Sequence, residues 1–554
     1  MNTITVPHGQ RQMPTFSKVP IDSGLSFDQI HQLRLAGDAR VAVGSEITVS
    51  GWIRSIRGQK DVCFIQLHDG TNMPGMQIMF DIPNSGEALV LKGKELTVGT
   101  AISVRGILQR NDRKSAESSE AVELWGTSIT VHGLCDVGVP AEKAPSKKAN
   151  AVKTAQNPDT LTVAEPKSPV AGHELKPYPL QKKYQSLEFL RDLPSLKLRT
   201  NTYSAIFRVR SRAAAALHDF FQKDGFFTVH APVLTPLDCE GAGEMFSVAT
   251  PRAKDPFNSF FESPAYLSVS GQLYAEIAAA SVRKVYSFGP TFRAENSHTT
   301  RHLAEFWMLE PEIAFADLSD VCDACEKSIQ YTVKELLEKS REDLEFLQSR
   351  YDNNLIPKLE AVATTPFARI TYTEAINVLK KAIANEGIEF KYPVQWGESL
   401  QSEHERYLAE KVYCGPVFVT NYPASMKPFY MRIDGDAPEN VSDNSKSMEY
   451  SGLTPVPETA EGPTVACMDL LVPGIGELCG GSQREDRFPI LATRVNEAKL
   501  SGKDYGWYLD LRRFGTVPHG GWGMGFERFV AYVTGMENVR DTVLAPRAPS
   551  LMQI

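Results

Sequence analysis

The sequence predicts an α+β protein of two domains, a small β-barrel followed by a larger mixed domain. Three observations carry that expectation. Five short segments of alternating apolar and polar residues fall within 47–133, separated by Gly, Asp and Asn turn signals. A stretch rich in Lys, Ala, Pro and Ser, with scarcely an aromatic residue, runs from Val139 to about Pro179 and reads as a linker. Beyond it a helical pattern over 203–222 opens a series of strands and helices, which ends in a Gly-rich strand entering a final helix.

Taken in chain order, residues 1–35 hold several Pro and Gly with little periodicity and are expected to be a poorly ordered extension. The barrel domain is placed at 36–137, with strands at 47–58, 62–70, 75–81, 96–110 and 122–133. The linker follows at 138–180 and the large domain at 181–554, interrupted at about 434–462 by a polar insertion rich in Ser, Glu and Pro. A chain of 554 residues is too long for one ordinary domain. Its net charge of -8 gives no overall attraction to nucleic acid, so such a partner has to be met by a local basic face. Eight cysteines are scattered singly, apart from Cys322 and Cys325 in a helical pattern with no second pair. Reduced core thiols in a cytoplasmic protein are therefore expected, not zinc. No apolar run approaches membrane-spanning length, so no membrane partner is expected.

The most informative stretch reads as strand, charged loop, strand. It alternates from Ser287 into Arg293 and Glu295, turns through Ser, His and Thr residues past Arg301 and His302, and returns through Phe306 to Ile313. So many ionisable groups on strands of interior type suggest a grip on a polyanion or metal, against the plain alternative of a solvated hairpin. Arg293 suits phosphate because its planar fork bonds two oxygens at once. Arg528 is a second candidate, preceded by the Gly521, Gly523 and Gly525 run that lets backbone approach a ligand. Tight packing of a strand on a helix through small residues is the alternative there.

These two stretches resemble the second and third signature motifs of the class II aminoacyl-tRNA synthetases, and the helix leading into Phe226 to Pro232 is similar to the first. With a five-stranded barrel in front, the resemblance narrows to the aspartate/asparagine/lysine subgroup. Residues 238–246, 270–276 and 476–485 are similar to its asparagine-specific members, chiefly of bacterial type, and the likeness covers roughly residues 40–554. It implies an OB-fold anticodon-binding barrel joined to a class II catalytic domain on an antiparallel sheet flanked by helices. The implied reaction is activation of L-asparagine with ATP to asparaginyl-adenylate and pyrophosphate, then transfer to the terminal adenosine of tRNA(Asn). A homodimer built at the Pro232 strand end is implied as well.

The resemblance places Arg293 on the ATP α-phosphate, Phe306 on the adenine with Glu295 beside it, and Arg528 in the nucleotide clamp. It sets Arg301 and His302 on the outer phosphates and the tRNA acceptor end, where solvated loop charges are the alternative. Asp469 and Glu477 fall where the family holds Mg2+, a hard cation suited to carboxylate and phosphate oxygens; capping acids would look alike in sequence. Gln272, Glu276 and Arg484 fall at the amino-acid site. A carboxylate at Glu276 accepts from the asparagine amide but repels aspartate, by about 4 kcal/mol at 4 Å and an effective dielectric near 20. Aspartate enzymes carry Lys where this chain has Ala275. A salt-bridged structural Glu276 is the alternative.

In the barrel, Phe64 and Gln77 match residues that meet the middle anticodon base, though an alternating strand aromatic is often core. Arg54 and Arg57 add local positive charge. A nondiscriminating aspartyl enzyme is opposed by Glu276 and Ala275, an asparagine synthetase by the barrel, and a catalytically dead relative by the presence of Arg293, Glu295, Phe306, Glu477 and Arg528.

Overall fold

The computed structural model describes residues 25–83, 96–116, 118, 120–135, 177–180, 184–237, 244–249, 260–435, 462–500 and 502–552. The linker and the 434–462 insertion lie almost wholly outside these residues, as does most of the 238–246 motif. The chain divides into two compact units, 1–186 and 187–554. Among the described residues no helix is long and apolar enough to cross a membrane.

The first unit is a closed barrel of five strands, β1 (Glu46–Gly58), β2 (Val62–His68), β3 (Met76–Asp81), β4 (Ala101–Arg110) and β5 (Val122–Gly133), in the order β1-β2-β3-β5-β4. Period-two alternation sends Cys63, Ile65 and Leu67 of β2 into the core and leaves Phe64 and Gln66 on the outer face. The opening segment departs from the expected disorder. Phe27–Leu35 is a helix, started by a capping box in which Ser26 and Gln29 bond each other's backbone N–H. Its Phe27 and Ile30 are buried in the barrel core, and that burial holds a helix too short to stand alone.

The first long helix of the second unit is Asn201–Lys223, one to two residues longer at each end than the pattern predicts. Short strands follow, β6 (Phe227–Thr228) and a ribbon of β7 (Leu234–Thr235) with β8 (Tyr266–Leu267). The main sheet adds β9 (Lys284–Phe292), β10 (Glu305–Ala314), β11 (Ala368–Thr371), β12 (Val417–Pro423), β13 (Thr464–Val472), β14 (Gly476–Gln483) and β15 (His519–Gly525). Its order is β11-β12-β13-β14-β15-β10-β9-β6, with parallel pairs only at the two edges. The helix Gln272–Val282 packs on β9 and β10, and Leu318–Lys339 on β13, β14 and β15. The latter buries Cys322 and Cys325 as free thiols. One apolar cluster joins Val417, Val419, Val465 and Cys467 of the sheet to Tyr372, Ile376, Leu379, Leu491 and Tyr508 of the helices.

Candidate active site

The antiparallel middle of the sheet floors a cavity of about 420 Å³. Alternation along β10 turns Phe306, Met308, Glu310 and Glu312 to this one face, so a single strand supplies an aromatic, a thioether and two acids. The neighbouring strands approach closely because they carry glycine. A Cβ at Gly521 would collide with the Pro311 carbonyl and the Glu312 carboxylate, and one at Gly481 would lie 2.7 Å from the Gly521 carbonyl oxygen.

Cations gather at one end. Arg293 follows β9 directly, its N–H donates to the Ala304 carbonyl at 3.0 Å, and its guanidinium sits 5.6 Å from the Phe306 ring centre. Arg528, in the first turn of the helix Phe526–Thr534, donates to the Glu477 carbonyl at 3.0 Å and stands 3.7 Å from the Glu477 carboxylate. Its neighbour Glu527 is held by Arg210 at 2.7 Å and by the Trp307 N–H at 2.9 Å. Glu295 and His302 also line the cavity, and burial, with Arg528 and Arg301 nearby, lowers the His302 pKa. The Arg301 guanidinium is engaged elsewhere: it donates to Ser402 Oγ at 2.8 Å, to Glu405 at 3.3 Å and to the Ile475 carbonyl. Gly476, at φ 83°, leaves room for that contact, since a side chain there would meet both Glu405 and Arg301.

Two acids face these cations from adjacent strands. A Cβ built on Gly480 would lie 3.4 Å from Glu477 Oε1 and 3.5 Å from Asp469 Oδ1, so both carboxylates reach one spot. Burial pushes the Asp469 pKa up, Lys427 opposes it, and Glu477 adds to the rise. Burial would also raise Glu477, but Arg528, Lys427, Arg293 and Arg301 hold it below its ordinary value.

At the other end the wall carries Gln272, Tyr430 and Arg484. Arg484 is nearly wholly buried and forks onto Glu312 at 3.0 and 2.9 Å, with Ser482 Oγ at 2.9 Å. Glu276 is not on that wall. It is 1% exposed and sits behind Gln272, bonded by Tyr508 at 3.0 and 2.9 Å, Arg512 at 2.8 Å and Gln272 at 3.0 Å, with His519 Nε2 at 3.2 Å. Burial works against its charge, but Arg512, His519 and Arg484 prevail and depress its pKa. The salt-bridged alternative describes this placement.

On the barrel, Phe64 pairs with Met79 and Gln66 with Gln77, which makes Phe64 and Gln77 diagonal neighbours on one outer face. Phe64 is half-buried under the Arg57 guanidinium at 5.2 Å, and Gln77 donates to Glu123 at 3.1 Å.

Residues 186–549 match the family described as tRNA synthetases class II (D, K and N), and residues 47–131 match the OB-fold nucleic acid binding domain. The chain belongs to the class II tRNA synthetases. It is 44% identical over 505 residues to the asparagine–tRNA ligase of Desulfotalea psychrophila, covering 91% of this chain and 95% of that one. It is likewise 44% identical over 517 residues to that of Thermosynechococcus vestitus, with coverages of 92% and 96%. Among solved structures it resembles the asparaginyl-tRNA synthetase of Pyrococcus horikoshii complexed with asparaginyl-adenylate, with TM-score 0.70, 28% identity, and coverage of 96% and 99%.

In this synthetase the cavity brings together Gln272, Arg293, Glu295, Arg301, His302, Phe306, Asp469, Glu477, Arg484 and Arg528, and excludes Glu276. Sequence reasoning missed Lys427, Glu310, Glu312 and Tyr430. The Glu310 and Glu312 spacing on an apolar strand was a readable signal; Lys427, ahead of Pro428 in an irregular segment, offered none. Asp469 and Glu477 fit Mg2+ as it is bound beside phosphates, through one or two carboxylates. Among the described residues no cluster of three or more metal-ligating acids, His or Cys exists.

Proposed function

We propose that the chain is an asparagine–tRNA ligase, joining L-asparagine to ATP as asparaginyl-adenylate and then to the terminal adenosine of tRNA(Asn). The observation that carries the reading is one cavity that combines Arg293 and Arg528 beside an acid pair with an amide- and guanidinium-lined far end.

The asparagine carboxylate attacks the α-phosphorus, and pyrophosphate leaves opposite. No protein nucleophile takes part. Phe306 stacks the adenine, with Glu295 beside it, and Arg293 and Arg528 meet the charge that grows on the phosphate oxygens. Fixed charges in a partly water-excluded site act more strongly than in water and need no reorganisation at the moment of reaction. Asp469 and Glu477 would hold Mg2+, which supplies further neutralisation of the phosphates when bound. Arg484 donates to the asparagine side-chain oxygen. Phe64 and Gln77 serve the anticodon through stacking and an edge contact, and the outer face they share supports this. Arg301 and His302 serve the outer phosphates or the acceptor end, which for Arg301 requires leaving Glu405.

The chain acts as a homodimer through the region of Pro232, supported by Phe227 and Leu234, which are 63% and 43% exposed on either side. The free, mostly buried cysteines among the described residues suit the cytoplasm. ATP/pyrophosphate exchange with asparagine and aspartate, followed by charging of tRNA(Asn), tests the reading. Exchange that depends on asparagine supports it; exchange with aspartate alone or with neither overturns it. Sedimentation of the purified chain tests the dimer.

A further inference from the structure

We propose that Glu276 selects asparagine without touching it, by fixing the Gln272 carboxamide so that its oxygen faces the cavity and its NH2 points away. The inference rests on the ligase reading and deepens it.

A carboxylate can only accept hydrogen bonds, so the Gln272 nitrogen, not its oxygen, must be the atom 3.0 Å from Glu276 Oε1. Side-chain amides are otherwise free to turn over, and chemistry decides this one. Glu276 is itself immobilised. Tyr508 and Arg512 come from one helix, Gly502–Arg513, and His519 from the start of β15, so three groups distant in sequence converge on one carboxylate. Arg512 also donates to Tyr508 at 2.9 Å and to the Glu485 carbonyl at 3.0 Å, which leaves little freedom for the cluster to turn. Removing the cation would strand a buried charge.

The consequence appears on the cavity side. Gln272 lines the cavity, and among the described residues nothing donates to its side-chain oxygen. That oxygen is an acceptor awaiting an N–H. The asparagine NH2 supplies one, whereas an aspartate carboxylate would set oxygen against oxygen with no proton between. Arg484, on the same wall, has no acceptor atoms and meets the oxygen that both amino acids possess. Discrimination then falls to Gln272, and its orientation to Glu276. Glu276 and Arg512 are thus positioning residues.

The test uses the full chain in ATP/pyrophosphate exchange with asparagine and with aspartate, comparing wild type with Gln272→Met, Glu276→Gln and Arg512→Lys. Gln272→Met is expected to lower kcat/KM for asparagine roughly 10- to 100-fold, chiefly through KM, and to lower it far less for aspartate. Glu276→Gln, which frees the amide to turn, is expected to shrink the asparagine preference in the same sense. Arg512→Lys keeps a cation on Glu276 and is expected to preserve most of the preference. Melting temperatures separate loss of fold from loss of selection, and if Glu276→Gln does not fold, the half-buried Gln272→Met decides alone. Equal losses for both amino acids in Gln272→Met would overturn the inference, because Gln272 would then touch a group the two share. A wild type active with asparagine but an unchanged preference in the variants removes this inference only, while a wild type inactive with asparagine removes the ligase reading too.

Discussion

Lys427 and Asp469 form a forked contact on the cavity floor, with Nζ 3.0 and 2.8 Å from the two carboxylate oxygens. The same ammonium lies 4.0 Å from the centre of the Tyr422 ring. Burial works against the Lys427 charge, but Asp469 outweighs it and raises the pKa. The same contact opposes the rise that burial and Glu477 impose on Asp469, and it holds that side chain in place beside Glu477.

Asp469→Asn removes one of the two acids proposed for Mg2+. The Mg2+ concentration giving half-maximal ATP/pyrophosphate exchange is expected to rise roughly tenfold or more. Titration of exchange with Mg2+ at fixed ATP measures it, and an unchanged midpoint would count against Asp469 as a ligand.

Arg293→Lys and Arg528→Lys keep the charge and lose the fork. Each is expected to lower kcat for exchange by roughly a hundredfold or more, with a smaller effect on the ATP KM. Steady-state kinetics at saturating asparagine separate the two parameters. A change confined to KM would mean that the arginine only binds the ground state.

Phe64→Ala leaves the catalytic unit untouched, so exchange without tRNA is expected to keep its wild-type rate. The tRNA(Asn) KM in charging is expected to rise about 10- to 100-fold, from the roughly 1–3 kcal/mol carried by one stacked base. Equal charging kinetics in the variant and wild type would place the anticodon elsewhere.

Lys197 is fully buried, donates to the Val543 carbonyl at 2.8 Å, and lies 4.5 Å from the Tyr203 ring centre. Burial lowers its pKa from 10.5 to about 8, against the pull of Asp541. Between these values the unfolded lysine is protonated and the folded one is not, so the unfolded chain holds more protons and this residue's contribution rises with pH. It is lost as pH falls through about 8. Chemical denaturation at pH 7.5 and 9.5 is expected to show a smaller rise in stability with pH for Lys197→Met than for wild type.

Legibility in the sequence followed the range of the physics. The barrel was readable because alternation is local: Cys63, Ile65 and Leu67 alone fix which face of β2 is inside. The helix Phe27–Leu35 was missed because two of its residues, Phe27 and Ile30, are buried and its other ties reach distant residues such as Asp69 and Ser118, although Ser26 and Gln29 stood at capping-box spacing. The cation end of the site was legible because Arg293 and Arg528 sit in segments with a pattern of their own. The burial of Glu276 was not, because Arg512 lies 236 residues further on and no local pattern links the two. Lys427 went unseen for the same reason, 42 residues before Asp469.

The glycine-spaced floor of β14 and β15 bears on inhibition. A compound resting there would contact Gly481, where an added carbon would lie 2.7 Å from the Gly521 carbonyl oxygen. An escape variant at Gly481 would disturb the sheet before it expelled the compound, which turns resistance toward the side chains of the walls and of the rim loop between β9 and β10. An adenylate mimic built deep against the floor, with few contacts to that loop, would leave the fewest routes to resistance.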